Sequence, residues 1–332
     1  SALTSFNPED LRYEALENGA RVLILPETVS KKDVTLIQDG FSSVWIQAGE
    51  GMTSSVAAIN KGPYGIVTPN RSLTNDIYAT FYPRSTMIRR TNVIGHRGNP
   101  SVAQENTIDG ALKAYANGAT AVENDIYLVA DGVLMVMHDK TIDRTTNGSG
   151  NTVDFTSPQL KQYVVDYNTA LPTQPVPSLE DFFKAVKGDP EKRLVVEIKH
   201  TNTAFAYELK RMIDKYDILD QMVIIAFDEN NLVAIRQYLP GVAVGLLSYA
   251  TFDDANPAES TQLALEIAQN NLTGCNPKYT NWGKATIQEM VYRGVTIWPW
   301  TINDQNVFDK LMVEGVGGIT TNYSQWSANY VE

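Results

Sequence analysis

Only three histidines occur in the chain, and two of them stand in settings suited to proton transfer. His96 lies in Gly95-His96-Arg97-Gly98 and His138 in Met137-His138-Asp139, each at the end of an apolar run and beside charged residues. An imidazole with an ordinary pKa of about 6.5 both takes and gives protons near neutral pH. Glu123 and Asp125 are two residues apart, and so are Glu197 and Lys199. On a strand that spacing points both side chains to one face. If that face is the inside of a barrel, unpaired ions there cost on the order of several kcal/mol and are kept only for a purpose.

Glu123, Asp125 and Glu197 together form an all-oxygen set from two strands. Such a set suits one hard cation, Ca2+ or Mg2+, better than zinc, which prefers His and Cys. Arg97 and Lys199 add positive charge beside it, and a cation flanked by Arg and Lys suits a phosphoryl oxygen. Two histidines near that phosphorus would protonate the leaving oxygen and deprotonate the attacking one, in roles the sequence leaves open. Singly, each feature has an ordinary explanation: a structural histidine, a solvated Glu-x-Asp, a surface Glu-x-Lys pair. Their order and placement in one β/α chain point to a site.

The elements that must position these residues alternate from residue 92 onward. Strands are predicted at Asn92–His96, Ala119–Ile126, Leu194–Ile198, Met222–Phe227, Val242–Leu247, Leu272–Asn276, Thr296–Thr301 and Gly318–Thr321. Helices are predicted between them, among them Asn106–Asn117, Thr203–Lys215, Glu229–Tyr238, Ser260–Asn270, Lys284–Arg293 and Asn303–Glu314. Asp131-Gly132 reads as a hairpin turn into Val133–Met137, an excursion after the second strand. A polar stretch follows to Pro177, and Ser178 with Asp181 caps a helix running through Val186. Eight β/α units argue for a closed (β/α)8 TIM barrel, an α/β fold, with a small hairpin-containing insertion after strand 2.

One barrel needs about 250 residues, and the chain has 332, so a surplus precedes it. Residues 1–91 read as a partial β/α segment with strands at Arg21–Pro26, Val44–Gln47 and Gly65–Thr68, and 92–332 as the barrel. Displaced by 253 positions without a gap, Trp45 falls on Trp298, Gly62 on Gly315, Gly65 on Gly318, Ile66 on Ile319 and Thr68 on Thr321. Residues 1–75 are therefore expected to be the closing half of a preceding, degenerate barrel. The segment has no histidine, and Gln47 stands where Trp300 stands, so no catalysis is expected from it.

A net charge of −11 makes the chain a poor candidate for nucleic-acid binding, which draws its affinity from Lys and Arg. The one cysteine, Cys275, excludes an intrachain disulfide and sits in an apolar stretch as a small hydrophobe. No apolar run approaches the roughly 18 residues of a membrane span, so stable membrane insertion is not expected. No signal peptide is read, and a start at Ser1 suggests a processed form or an excised piece. An extracytoplasmic or cell-surface setting is expected over a cytoplasmic one.

The run "VIGHRGNPSVAQENTIDGALKAYANGATAVENDIYLVADGVLMVMHDKTIDRTTNGSG" resembles the signature of glycerophosphodiester phosphodiesterases, and "VPSLEDFF", "LVVEIKH", "IIAFD" and "IWPWTIND" follow in that family's order. The resemblance covers residues 92–332. It implies a (β/α)8 barrel that hydrolyses a small glycerophosphodiester to glycerol 3-phosphate and an alcohol. By position it implies His96 and His138 as catalytic residues, Glu123, Asp125 and Glu197 as metal ligands, and Arg97 and Lys199 as phosphate contacts. It further implies Glu105 as support for the His-Arg-Gly loop and Trp300 as an aromatic lining the substrate pocket. Asn124 stands where the family usually has an apolar residue and should point to the helix layer. His200 should face away from Lys199's side. Other readings are a barrel phospholipase of the phosphatidylinositol or sphingomyelin type and a non-catalytic binder of glycerol-phosphate wall polymers. The acidic composition disfavours the first, and the second histidine disfavours the other.

Overall fold

The structure, a computed structural model, describes residues 7–82, 87–200, 204–250, 252, 254–255, 258–270, 272–280 and 282–330. Its strands are β1 (Val22–Pro26), β2 (Ser43–Gln47), β3 (Gly65–Val67), β4 (Asn92–Gly95), β5 (Ala121–Leu128), β6 (Leu134–Val136), β7 (Val164–Val165) and β8 (Gln174–Pro175). They continue as β9 (Arg193–Ile198), β10 (Met222–Ala226), β11 (Ala243–Ser248), β12 (Gly274–Pro277), β13 (Thr296–Ile297) and β14 (Gly318–Thr321). Eight parallel strands among the described residues run in the order β13-β12-β11-β10-β9-β5-β4-β14. Backbone bonds from Gly317 N–H to Ile297 O and from Thr320 N–H to Pro299 O join the two ends, so the sheet closes into a (β/α)8 barrel.

The barrel strands are apolar on both faces, as parallel strands covered by helices require. Val122, Leu194, Val196, Ile224 and Val244 are buried in the cluster that also takes in the surrounding helices. Ile94, Ala121, Val195, Val223, Ile225, Ala243, Leu247 and Trp298 fill the inside. The expected hairpin is present: β6 returns antiparallel along β5, with Ile126 opposite Val136. The expected capping box is also present, Ser178 and Asp181 each bonding the other's backbone N–H at the start of α7 (Leu179–Val186).

The structure departs from the sequence expectations in three places. The strand expected at Thr296–Thr301 forms a ladder only over Thr296–Ile297, because Pro299 has no N–H to give; Trp300 joins Lys278 through a single bridge. The helix expected from Asn106 begins at Ile108 (α5, Ile108–Ala116), with Thr107 as its cap and Asn106 at a φ of +56°. A helix at Arg71–Phe81 (α4) was not expected. Its start is set by the Asn70 side chain, which accepts from Leu73 N–H at 3.1 Å, and only Thr74 and Ile77 are buried, too narrow a stripe to read. The expected start of the next helix at Thr203 lies outside the described residues; α8 is described over Ala204–Tyr216.

Strands β1, β2 and β3 form a separate parallel sheet, joined by α1 (Pro8–Glu17), α2 (Lys31–Gln38) and α3 (Met52–Ile59). The two members of the sequence repeat make the same contact: a Cβ on Gly65 would lie 2.7 Å from the Trp45 ring, and one on Gly318 would lie 2.8 Å from the Trp298 ring. This amino-terminal unit closes the bottom of the barrel. Phe41 is wholly buried, with its ring centroid 3.9 Å from that of Trp298. It occupies the space left by Gly274, where a Cβ would fall 2.8 Å from its ring. Its φ of +63° is costly for an aromatic residue and persists because the surrounding packing fixes it. Arg193, the first residue of β9, ties the same join together by donating to Glu9 at 3.1 Å and to Leu36 O at 3.4 Å.

Replacing a buried Phe by Ala removes its transfer energy and leaves a cavity, so Phe41→Ala should lower the unfolding free energy by about 3–5 kcal/mol. Denaturant unfolding measures this, and an unchanged midpoint would show that the plug adds nothing to barrel stability.

Candidate active site

At the C-terminal end of β4 the chain turns sharply. His96 N–H reaches across to Thr321 O at 2.8 Å, Arg97 takes a φ of +53° and Gly98 one of +90°. Gly98 has no alternative, since a Cβ there would also lie 2.7 Å from the Gly110 backbone of α5. This turn aims Arg97 N–H at Glu123 Oε2, 2.8 Å away. Asn106 N–H closes the loop on Arg97 O at 2.9 Å, and its side-chain amide donates to Asp125 Oδ2 at 2.8 Å.

Register explains the carboxylates. In the β5–β9 pair Asp125 stands opposite Glu197, and Glu123 lies one pleat below on the same face. All three are buried, and each offers an oxygen within 4.8 Å of the other two. Lys199 Nζ lies 2.7 Å from Glu197 Oε1 and 3.4 Å from Asp125 Oδ1. Arg97 Nε lies 3.4 Å from Asp125 Oδ2. The hairpin register then sets His138. Met137 N–H donates to Asp125 O at 2.9 Å, which brings the next residue back over the metal-ligand candidates.

The electrostatics of this cluster are lopsided. Burial, then the charges of Asp125 and Glu197, push the Glu123 carboxyl well above the usual carboxylate range. Burial and Asp125 together push Glu197 up to about 7. Burial acts on Asp125 in the same direction, but Lys199 and Arg97 outweigh it and hold Asp125 below the usual range. Lys199 and Arg97 thus outweigh burial at Asp125 alone, although Lys199 also pairs with Glu197 and Arg97 with Glu123. Glu123 Oε1 and Asp125 Oδ1 are enclosed and accept no hydrogen bond. Unfilled acceptors on an all-oxygen buried set are what a divalent hard cation satisfies, so the residues present fit one.

The histidines differ in their partners. His96 Nδ1 pairs with the neutral amide oxygen of Asn322 at 2.7 Å; burial, reinforced by Arg97, lowers its pKa to about 4. His138 Nδ1 pairs with the Asp139 carboxylate at 2.6 Å; burial lowers its pKa too, while Asp125 and Asp139 pull the other way. Asp139 is itself fixed by Arg144, whose guanidinium donates to it at 2.6 and 3.2 Å and to Glu105 at 3.0 and 2.8 Å. Glu105 in turn accepts from Arg97 at 3.0 Å. Glu105 therefore supports the His-Arg-Gly loop by bridging two arginines.

Trp300 does not join the charged group. It lies on the far side of the ring of strands, its Nε1–H donating to Asn276 O at 2.6 Å. Its ring meets Phe227 and Tyr249 edge-on at 5.6 and 5.4 Å, which makes an aromatic wall at the mouth. His200 faces away from Lys199's partners and packs on Tyr127 and Phe205. Asn124 points into the helix layer, wholly buried, and neither its amide nitrogen nor its oxygen finds a partner; nothing in the structure explains it.

Four residues of the cluster carry no signal that sequence reading used. Asn106 and Asp139 adjoin residues already singled out, Glu105 and His138, and Arg144 lies in the "TIDRTTNG" run. Asn322 reaches His96 only because β14 pairs with β4.

Residues 96–325 match the sequence model of the glycerophosphoryl diester phosphodiesterase family. The chain belongs to that family. It is 29% identical over 247 residues to a glycerophosphodiester phosphodiesterase of Caldanaerobacter subterraneus subsp. tengcongensis, covering 73% of this chain and 98% of that one. It is 27% identical over 290 residues to one from Bacillus subtilis, covering 82% and 90%. Among solved structures, an Oleispira antarctica phosphodiesterase in complex with the product sn-glycerol-3-phosphate superposes with a TM-score of 0.63 at 21% identity, over 72% of this chain and 95% of that one. A protein described as a putative glycerophosphoryl diester phosphodiesterase from Silicibacter pomeroyi DSS-3 superposes with a TM-score of 0.64 at 20% identity, over 72% and 92%. These two likenesses show the shared fold. No helix among the described residues is long and apolar enough to cross a membrane.

Arg144→Met removes the guanidinium that bridges Asp139 and Glu105, leaving each with one partner, His138 and Arg97. Loss of such supporting partners typically costs about 10–100-fold, so kcat/KM on a glycerophosphodiester should fall by that order. Arg144→Lys should recover only part of it, because an ammonium cannot fork between two carboxylates. Wild-type kinetics in Arg144→Met would show that the network does not position the site.

Proposed function

We propose that the chain hydrolyses a glycerophosphodiester to glycerol 3-phosphate and an alcohol, with Glu123, Asp125 and Glu197 holding one divalent cation, Ca2+ or Mg2+, and with His96 and His138 as the proton-transfer pair. The observation that carries the reading is the buried convergence of those three carboxylates, with oxygens within 4.8 Å of one another, in electrostatic reach of both imidazoles. A cation bound there supplies Lewis-acid polarisation of a phosphoryl oxygen. Arg97 and Lys199, oriented by the same carboxylates, stabilise negative charge growing on the phosphoryl group. The aromatic wall of Trp300, Phe227 and Tyr249 offers apolar contact to substrate carbon. The names of the relatives and the product held by the Oleispira antarctica protein support this substrate class.

The partners of the two histidines divide their roles. His96, enclosed, beside Arg97 and bonded to a neutral amide, is kept unprotonated and takes the proton of the attacking oxygen, that of water or of the glycerol 2-hydroxyl, whose cyclic phosphate water then opens. His138, backed by the Asp139 carboxylate, is the one whose imidazolium is supported, and it gives a proton to the leaving alcohol. The amino-terminal sheet, without a histidine, floors the barrel and takes no part in the chemistry; we read residues 1–75 as the closing half of a degenerate barrel, on the strength of the shared Trp–Gly contact.

Comparing two leaving groups tests this. Glycerophosphocholine releases an alcohol that needs a proton, whereas a p-nitrophenyl diester of glycerol 3-phosphate releases a phenolate that does not. His138→Ala should lose about 10²–10⁴-fold in turnover on the first and far less on the second, while His96→Ala should lose on both. Equal losses on both substrates in His138→Ala would remove its acid role. Wild-type activity in both variants would end the two-histidine reading, and no release of glycerol 3-phosphate by the wild type with Ca2+ or Mg2+ would overturn the function.

A further inference from the structure

One sizeable cavity lies away from the catalytic mouth. A cleft of about 740 Å3 opens between α2 of the amino-terminal unit and the bottom of the barrel, next to the N-terminal ends of β4, β5 and β9. That volume falls within the roughly 300–1,000 Å3 range of ligand pockets.

Its lining is divided in charge and polarity. Five cations, Lys31, Lys32, Arg89, Arg90 and Arg193, face two carboxylates, Asp39 and Glu191. Against a net charge of −11 for the chain, this is a local reversal of sign. Two of the five are already committed, for Arg90 pairs with Asp39, and Arg193 is held by Glu9 and Asp39. Three have no carboxylate partner among the described residues. Lys31 and Lys32 are exposed at the start of α2 and make no ion pair or side-chain hydrogen bond among the described residues. Arg89 donates to Gly315 O and lies over the Tyr64 ring at 3.9 Å, while its Nε is enclosed with no acceptor. Leu36, Met87, Ile88, Val93 and Met312 give the wall an apolar stretch, with Thr35, Thr91, Thr120 and Ser327 among the remaining lining residues.

Free cations at the rim and an apolar wall behind them match one kind of molecule. We propose that this cleft binds a single-chain amphiphile with an anionic head, a phosphate or carboxylate on an alkyl chain. The head would pair with Lys31, Lys32 and the guanidinium of Arg89, which lines the cleft, since charge-assisted contacts of this kind are the stronger ones. The chain would cover the apolar wall. The cleft lies at the opposite end of the barrel from Glu123, Asp125 and Glu197, so the proposal stands apart from the catalytic reading.

Calorimetric titration of the full chain, below the micelle concentration of each probe, tests it. Dodecyl phosphate and dodecanoate distinguish the two heads; inorganic phosphate carries a head alone, and dodecyl maltoside a tail without charge. At least one anionic amphiphile should bind, more tightly than inorganic phosphate and dodecyl maltoside. The double variant Lys31→Glu with Lys32→Glu should weaken binding by about tenfold or more, and Leu36→Asp should weaken it independently through the tail. Both should keep wild-type turnover of the glycerophosphodiester. The proposal is overturned if neither anionic probe binds, if dodecyl maltoside or inorganic phosphate binds as tightly, or if the double variant binds like the wild type.

Discussion

Three carboxylates buried at one end of a parallel barrel repel one another, and the structure around them is arranged to hold them in place. Glu123, Asp125 and Glu197 sit together because strand register leaves them nowhere else to point. Their repulsion is only partly offset by Arg97 and Lys199, so Glu123 and Glu197 are pushed toward their protonated forms while Asp125 stays ionised. A cluster left in that condition destabilises the fold, because buried charge without full compensation costs free energy. The same imbalance is what a divalent cation would relieve.

The neighbouring backbone shows the same priority. Arg97 and Asn106 both adopt left-handed φ values, and both contact the cluster directly. Non-glycine residues in that region are strained, and strain of this kind gathers where geometry matters more than local comfort. The stability that tolerates it comes from elsewhere: the packed barrel interior, and the amino-terminal unit that closes the floor with Phe41 and Leu16. One end of the barrel is thus built for packing and the other for chemistry, the division usual in this fold.

How much of this was legible in the sequence depended on the range of each interaction. The period-two pairs Glu123/Asp125 and Glu197/Lys199 could be read because a strand fixes side-chain direction from spacing alone. The hairpin carrying His138 could be read because Asp131-Gly132 is a local turn signal. Asn322 could not: it is 226 residues from His96, and only barrel closure brings the two together. Arg144 is 39 residues from Glu105, in an irregular loop with no period to follow. Phe41 gave no sign of its role, because the residues that enclose it are distant in sequence: Trp298 meets its ring, and Thr296, 255 residues away, donates to its carbonyl. Pro299 cut a strand short in a stretch whose apolar pattern ran on past it.

The claim on which the rest stands is that the three carboxylates form one cation site. Calorimetric titration of Ca2+ and of Mg2+ into the chelator-treated wild type, and into Glu123→Gln, Asp125→Asn and Glu197→Gln, measures this directly. One ion per chain should bind to the wild type, with affinity lost or strongly reduced in each variant. Absence of binding to the wild type, or undiminished binding to the variants, would contradict it.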